Sequence, residues 1–177
     1  MGKIIYPEKV KLIIGMLSSS VELFESSQER LEQEFGSVSF CSSILPFTFT
    51  QYYTPEMGEN LKRRFISFSS PILPEELARI KLLTNSIEQE FAANDKRMIN
   101  LDPGYLNTAK LVLATTKDHS HRIYLGNGIY AEITLKFVAG TFCPWEWTYP
   151  DYRTTEYIDI FNHIRQLFIV SRDKYNR

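Results

Sequence analysis

The chain has 177 residues, of which 44% are hydrophobic and 23% are charged, and these fractions exclude intrinsic disorder. The 20 basic and 21 acidic residues give a net charge of −1, which excludes a whole-surface field that would attract DNA or anionic lipid. The two cysteines, Cys41 and Cys143, show no zinc-binding or redox spacing.

The first segments of the chain show alternating strand and helix patterns. Residues 10–17 are apolar on both alternating faces, as in a central strand, and the serines at 18–20 supply an N-cap for the next segment. This segment carries its apolar residues on one helical stripe and ends at Gly36, a favoured C-terminal stop. Residues 37–44 alternate serine with apolar side chains and predict a strand with one buried face.

The middle of the chain predicts two helix starts. After a loop over residues 52–60 and a strand over residues 61–69, Pro74-Glu75-Glu76 places proline at a first helical position and acids in a first turn. A short strand at 97–101 precedes Asp102-Pro103-Gly104, where we expect a second helix with aspartate as its N-cap. The end of this helix, from Val112 to Thr115, fits a strand equally well.

The clearest local signal is a β-hairpin around Gly126-Asn127-Gly128. Apolar and polar residues alternate on both sides of these three residues. A three-residue loop pairs apolar residues with apolar residues and polar with polar across the hairpin, whereas a two-residue loop would pair apolar residues with polar ones. The predicted cross-strand pairs are Leu125–Ile129, Tyr124–Tyr130, Ile123–Ala131 and Arg122–Glu132.

The last segments are an aromatic loop over residues 142–152 and a helix with Tyr157, Phe161, Ile164 and Phe168 on one stripe. The resulting order is β-α-β-β-α-β, then helix, hairpin and helix. We therefore predict an α+β fold, with a ferredoxin-like N-terminal core plus a C-terminal hairpin and helix. Its sheet is mixed or antiparallel and has helices mainly on one face; helices on both faces are the alternative.

Several polar residues of the second half are candidates for a site. Asp102 lies at the predicted strand-to-helix junction with Tyr105, where a carboxylate can act as a base or metal ligand or simply cap the helix. A group of cationic and imidazole side chains could hold a phosphate or carboxylate, with Arg122 as a bidentate donor, or could be a solvated loop. Its members are Lys110, Lys117, His119, His121 and Arg122.

The histidines of this group also raise the question of a metal. Adjacent Asp118 adds an oxygen ligand to His119 and His121, and such ligands suit zinc. The sequence offers no further ligand with the right spacing, so we predict no metal site. The cofactor is unknown.

Two aromatic loops could form a lid or a stacking surface, or anchor the loops in the core. The first contains Tyr52 and Glu56, and the second contains Trp147, Tyr149 and Asp151. Some absences are also informative, because without a GxxxxGK[ST] motif the chain is not a P-loop nucleotide hydrolase. The chain contains no GxGxxG motif after a strand and no GxSxG motif either.

Several segments resemble an uncharacterised bacterial family, domain of unknown function 4416, whose members are sometimes labelled GTP-binding protein. The similar segments are 11–15, Tyr52 to Gly58, Leu101 to Leu106, Lys110 to Leu125, Gly128 to Leu135 and Trp147 to Tyr152. The resemblance covers nearly the whole chain and implies no particular catalytic residues.

We interpret the chain as one domain, 1–177, that binds a small anionic or nucleotide-type ligand. Asp102 and Glu132 are the candidate acid, base or metal-ligand residues, and whether the protein is an enzyme is left open. A single-stranded RNA-binding module and a non-catalytic protein-interaction domain are the alternatives. No run approaches the ~20 apolar residues of a membrane span, and no signal-peptide pattern is present. We therefore expect a cytoplasmic protein without membrane contact, and the sequence does not reveal its oligomeric state.

Overall fold

The computed structural model describes residues 2–175, with side chains described for residues 2–172. Within this range the helices are α1 (Val21–Phe35), α2 (Thr54–Met57), α3 (Leu77–Glu90) and α4 (Thr155–Tyr175). The first strands are β1 (Lys11–Ser18), β2 (Val38–Cys41), β3 (Leu45–Pro46), β4 (Lys62–Phe68) and β5 (Asn100–Leu106). The remaining strands are β6 (Lys110–Thr115), β7 (Ile123–Gly126), β8 (Ile129–Val138) and β9 (Thr141–Pro144).

The strands form one antiparallel sheet in the order β2-β4-β1-β5-β6-β8-β7, with β3 added to β4 and β9 added to β8. The part β2-β4-β1-β5, with α1 and α3 as connections, has the ferredoxin-like arrangement. Strands β6, β7 and β8 extend this sheet beyond β5. The predicted α+β fold is therefore confirmed.

Helices α1 and α3 cover one face of the sheet, and α4 covers the opposite face. Alternate residues of β1 divide between the two cores. Leu12 and Ile14 pack with Phe24 of α1 and Ile80 of α3, whereas Ile13 packs with the core that contains α4. Because a strand points successive side chains to opposite faces, the apolar run of residues 10–17 reflects burial on both sides.

Both predicted ends of α1 and the predicted start of α3 are confirmed. The Ser20 hydroxyl accepts a hydrogen bond from the Leu23 amide at 3.4 Å, as an N-cap does. Gly36 follows α1 with a φ of 79°, in the left-handed region that glycine tolerates best. Pro74 begins a 3-10 turn over Pro74–Glu76 that leads into α3.

The predicted helix start at Asp102-Pro103-Gly104 is wrong. These residues lie in the middle of β5, where Asp102 is opposite Gly15 and Gly104 is opposite Ile13 of β1. Aspartate and proline favour a helix start locally, but pairing with the most buried strand of the sheet outweighs this preference. The residues from 110 to 115 are also strand, which was the alternative for Val112 to Thr115.

The hairpin has the predicted pairs Ile123–Ala131 and Tyr124–Tyr130, but its loop is shorter than predicted. Gly126, not Leu125, lies opposite Ile129, and the register shifts by one residue between Tyr124 and Gly126. A β-bulge absorbs the extra residue, so a two-residue loop does not mix the faces. Two elements were not predicted: α2 lies within the predicted loop 52–60, and β9 begins at Thr141 and takes up the start of the predicted loop 142–152.

Candidate functional site

A cleft of about 780 Å³ opens where β5 and β6 separate. These two strands pair only from Leu106↔Leu111 to Gly104↔Leu113. Beyond that point Asp102 lines the cleft from β5 and Thr115 lines it from β6. The gap in the sheet therefore allows residues from both faces to reach one cavity.

Two residues of β5 explain where the strands separate. A Cβ atom on Gly104 would lie 2.4 Å from the Val112 carbonyl oxygen, so the last paired residues need glycine for their close approach. The preceding residue, Pro103, has no N–H with which to continue a ladder of hydrogen bonds. The Asp-Pro-Gly segment therefore builds the edge of the cleft instead of a helix start.

The cleft has an aromatic side and a charged floor. The aromatic residues that line it are Phe47, Phe49, Tyr52, Tyr53, Tyr149 and Tyr152. The charged residues that line it are Arg63, Lys81, Glu88, Arg97, Asp102, Lys117, Glu132 and Asp151. Four of these are cationic and four are acidic, so the lining carries no net formal charge.

Arg63 lies at the centre of the charged floor, and its side chain is only 3% exposed. Its guanidinium donates to Asp102 at 3.1 Å and to Asp151 at 3.5 Å. The guanidinium passes close to Gly15 of β1, where a Cβ atom would lie 3.2 Å from it. The absence of a side chain at Gly15 therefore makes room for a buried cation between two carboxylates.

The two carboxylates beside Arg63 have pKa values that move in opposite directions. Burial would raise the pKa of Asp102, but the charges of Lys81 and Arg63 outweigh it and hold this pKa below its usual range. Burial raises the pKa of Asp151, and Arg63 only partly offsets this effect. Asp102 is therefore the more stable anion, and Asp151 is the more readily protonated of the two.

A second charged group connects α3 to the start of β5. The Lys81 ammonium donates to the Leu101 carbonyl at 2.9 Å, and Glu88 accepts from the Leu101 amide at 2.7 Å. Arg97 binds both oxygens of Glu56 at 2.8 and 2.7 Å and reaches Glu88 at 3.3 Å. Burial raises the pKa of Glu88. Arg97 thus links the α2 loop to the floor of the cleft.

Glu132 lies on the β8 side of the cleft and is 2% exposed at its side chain. Arg122 donates to it at 2.8 Å, which confirms the predicted cross-strand pair, and His121 lies 3.2 Å away. The same guanidinium also donates to the Tyr149 hydroxyl and to the Lys117 carbonyl. Arg122 is therefore a buried counter-charge that orients Tyr149, not a free surface cation.

The mouth of the cleft is bridged by a contact between two distant loops. The Lys117 ammonium donates to the Tyr52 hydroxyl at 2.9 Å and lies 4.1 Å from the centre of its ring. Hydrogen bonding to Lys117 lowers the pKa of Tyr52. This contact joins the loop before α2 to the loop after β6.

The structure brings six of the predicted site residues to the cleft lining, namely Tyr52, Asp102, Lys117, Glu132, Tyr149 and Asp151. Glu56 and Arg122 lie next to the cleft through their bonds to Arg97, Glu132 and Tyr149. The segments predicted to hold a site therefore do converge.

Four other predicted residues do not line the cleft. Tyr105 packs with the core under α3, because it lies on the opposite face of β5 from Asp102. Lys110 lies at the opposite end of β6, facing Lys136 across the sheet. Trp147 stacks between Trp145 and His121 and donates to the Ile133 carbonyl at 3.0 Å. His119 lies against His121, with ring centres 4.8 Å apart.

Four charged residues of the cleft were missed by the sequence reasoning, and three of them interrupt an otherwise apolar pattern. Arg63 takes an inward position of β4, two residues before Phe65. Lys81 and Glu88 lie seven residues apart on the buried stripe of α3. A charged residue at a core position is the signal that could have identified these three; Arg97, which precedes β5, gave no such signal.

The described part of the chain shows no cluster of side chains that would coordinate a metal ion. Among its residues, no group of three or more histidine, cysteine, aspartate or glutamate side chains is placed to hold one. In the same part of the chain, no helix is both long and apolar enough to cross a bilayer, including the 21-residue α4. What the cleft offers is a set of fixed hydrogen-bond donors and acceptors beneath aromatic rings.

Comparison with known proteins places the chain in a family. No curated protein and no solved structure matches it significantly. The family described as Domain of unknown function (DUF4416) matches residues 8–168, which is most of the chain. The protein therefore belongs to the DUF4416 family.

Proposed function

We propose that this protein binds a small nucleotide-type ligand, a planar ring carrying an anionic group, in the cleft between β5 and β6. The volume of about 780 Å³ lies within the roughly 300–1,000 Å³ that is typical of small-molecule sites. The combination of aromatic walls with a few convergent polar groups is also typical of such sites.

The observation that carries this proposal is the concentration of buried charges around one cavity. Arg63, Glu132 and Asp151 are all nearly inaccessible to solvent, although taking a charge out of water costs several kcal/mol. An apolar core of the same volume would be at least as stable. Ionised groups concentrated in this way around an open cleft support a role in ligand binding.

The groups still accessible at the mouth suggest how a ligand would lie. Tyr52 is 60% exposed and Tyr149 is 41% exposed, so both present ring surface for stacking. Lys117 and Arg97 are the accessible cations for an anionic group. Asp102 offers an ionised acceptor, and Asp151 offers a carboxyl that is more easily protonated. This pair suits acid–base chemistry if the ligand is also a substrate.

Thermal unfolding with a panel of nucleosides, nucleotides and sugar phosphates tests the proposal. A ligand at 100 times its dissociation constant stabilises the fold by about 2.7 kcal/mol, which shifts the melting temperature measurably. Lys117→Ala should reduce this shift, because it removes an accessible cation at the mouth. Lys110→Ala, the same change on β6 outside the cleft, is the control and should leave the shift unchanged.

Equal loss of the melting-temperature shift in both variants would contradict binding in this cleft, and so would a panel without any stabilising compound.

The alternative functions, RNA binding and protein interaction, depend on the edge strand β7, where Ile123, Tyr124 and Leu125 are exposed. The Tyr124 and Tyr130 rings lie 5.2 Å apart and could stack on RNA bases or a protein partner. Affinity for single-stranded RNA that falls steeply with salt would favour the RNA alternative.

A further inference from the structure

A second cleft, of about 560 Å³, lies toward the opposite end of β1 and β4 from the first. It is formed by the segment before β1, the end of β4 and the last turns of α4. The residues that matter for its chemistry are Lys9, Lys11, Ser69, Ser70 and Arg172. None of these residues lines the first cleft.

Lys11 is the unusual residue of this second cleft. It begins β1, and only 3% of its surface is exposed, yet it lines the cavity. Its ammonium donates to the Ser39 hydroxyl at 2.7 Å, and that hydroxyl donates in turn to the Ser67 carbonyl at 3.2 Å. No carboxylate among residues 2–172 forms an ion pair with it. Burial lowers the pKa of Lys11.

Among the residues whose side chains are described, Lys11 bonds to a neutral hydroxyl and has no acidic partner. An ammonium carries three N–H donors, and the Ser39 hydroxyl occupies one of them. A buried charge without a counter-ion is costly, so it is retained where something else compensates it. The neighbouring cations do not compensate it: Arg172 is bound to Glu8 at 3.0 Å, and Lys9 adds a further positive charge.

The second cleft therefore differs in charge from the first. Its described lining has three cations, Lys9, Lys11 and Arg172, against one carboxylate, Glu8. The exposed hydroxyls of Ser69 and Ser70 lie at the same cavity. Ammonium, guanidinium and hydroxyl groups are the donors that proteins use for phosphate oxygens. The lining of the first cleft, in contrast, has equal numbers of cations and acids.

We propose that the second cleft binds a phosphate-type oxyanion, with Lys11 as its buried anchor and the hydroxyls of Ser69 and Ser70 as further donors. The cavity exceeds the size of inorganic phosphate, so the natural ligand is a small phosphorylated molecule. The anion supplies the counter-charge that no residue within 2–172 gives to Lys11. This site is independent of the ligand proposed for the first cleft.

The test uses inorganic phosphate as the probe and titration calorimetry at constant ionic strength. Lys11→Met removes the charge but keeps the length of the side chain, and it should weaken phosphate binding by about tenfold or more. Lys62→Met removes the same charge from β4 outside both clefts and should bind as the wild type does. In phosphate-free buffer, Lys11→Met should be at least as stable as the wild type, because it removes an uncompensated buried charge.

A direct measurement on the unmodified protein covers the case in which a variant folds poorly. Amide NMR shifts on adding phosphate should concentrate at Ser39, Ser69 and Ser70 and leave Thr115 and Lys117 in place. The reverse pattern would assign phosphate to the first cleft and overturn the proposal. Absence of phosphate binding, or equal binding by Lys11→Met and the wild type, would also overturn it.

Discussion

At the scale of single residues, the clearest feature is a buried cation, Arg63, that forms ion pairs with two carboxylates. Arg63 and Arg64 are neighbours on β4, but they point to opposite faces of the sheet. Arg63 reaches Asp102 and Asp151 in the interior, while Arg64 binds Glu25, whose side chain is largely exposed. The sequence shows two adjacent arginines in a strand. It does not show which of them is buried, because that depends on how β4 pairs with β1.

The two arginines should respond very differently to the same substitution. Arg63→Met leaves the carboxylates of Asp102 and Asp151 without their buried counter-charge. Breaking a buried pair in this way lowers the free energy of unfolding by about 3–5 kcal/mol. Arg64→Met loses the guanidinium that lies over the Phe24 ring, 5.4 Å from its centre, and the ion pair with the largely exposed Glu25. Together these losses cost about 1–2 kcal/mol. Urea unfolding of both variants measures the difference. Equal costs would mean that Arg63 is not the counter-charge of the cleft floor.

At the scale of elements, local signals identified most helices and strands but misassigned the segment that shapes the cleft. Ser20 and Gly36 mark the ends of α1 because caps depend only on neighbouring residues. Asp102-Pro103-Gly104 has the composition of a helix start, but its role is set by strands far away in sequence. Gly104 is needed because β6 passes very close to it, which no local pattern can reveal.

Gly104 therefore makes a testable contribution to the close approach of β5 and β6. In Gly104→Ala, the new methyl group would meet the backbone of Val112, which cannot move without displacing β6. We expect a loss of stability above about 3 kcal/mol, at the upper end of overpacking effects. Gly15→Ala is a milder change for comparison. Its new methyl group would meet side-chain atoms at 3.1–3.3 Å, and these can shift slightly. Its cost should be about 1–3 kcal/mol, measured by the same denaturant titration.

A larger loss of unfolding free energy in Gly15→Ala than in Gly104→Ala would contradict the close approach of β5 and β6. Wild-type stability in Gly104→Ala would do so even more directly. In either case, the approach of β6 to β5 would not depend on the missing side chain at Gly104.

At the scale of the whole molecule, the cleft depends on long-range pairing of the sheet. Residues that are close in the cleft come from β4, α3, β5, β6, β8 and the segment before α4. The sequence could identify several of them by residue type, as it did for Tyr52 and Tyr149. It could not show that they converge, nor that Tyr105 and Lys110 lie elsewhere, because strand order and register set these positions.

The Lys117–Tyr52 contact joins the loop before α2 to the loop after β6 across the mouth of the cleft. Tyr52→Phe removes the hydroxyl that accepts from Lys117 but keeps the ring. Because the contact is exposed, global stability should change by less than about 0.5 kcal/mol. A lost hydrogen bond of about 0.5–1 kcal/mol should, however, speed local opening, so amide exchange in α2 should rise about two- to fivefold.

Tyr124→Phe is the matched control for this experiment, since Tyr124 is also exposed, at 59%, but lies on β7 away from the cleft. Its hydroxyl accepts from the Gly128 amide, so any effect should stay within the hairpin. Exchange in α2 that is unchanged by Tyr52→Phe would show that the Arg97–Glu56 bonds alone hold this loop in place. Faster exchange in α2 with Tyr52→Phe alone would show that the Lys117 contact helps to hold the loop before α2 in place at the mouth of the cleft.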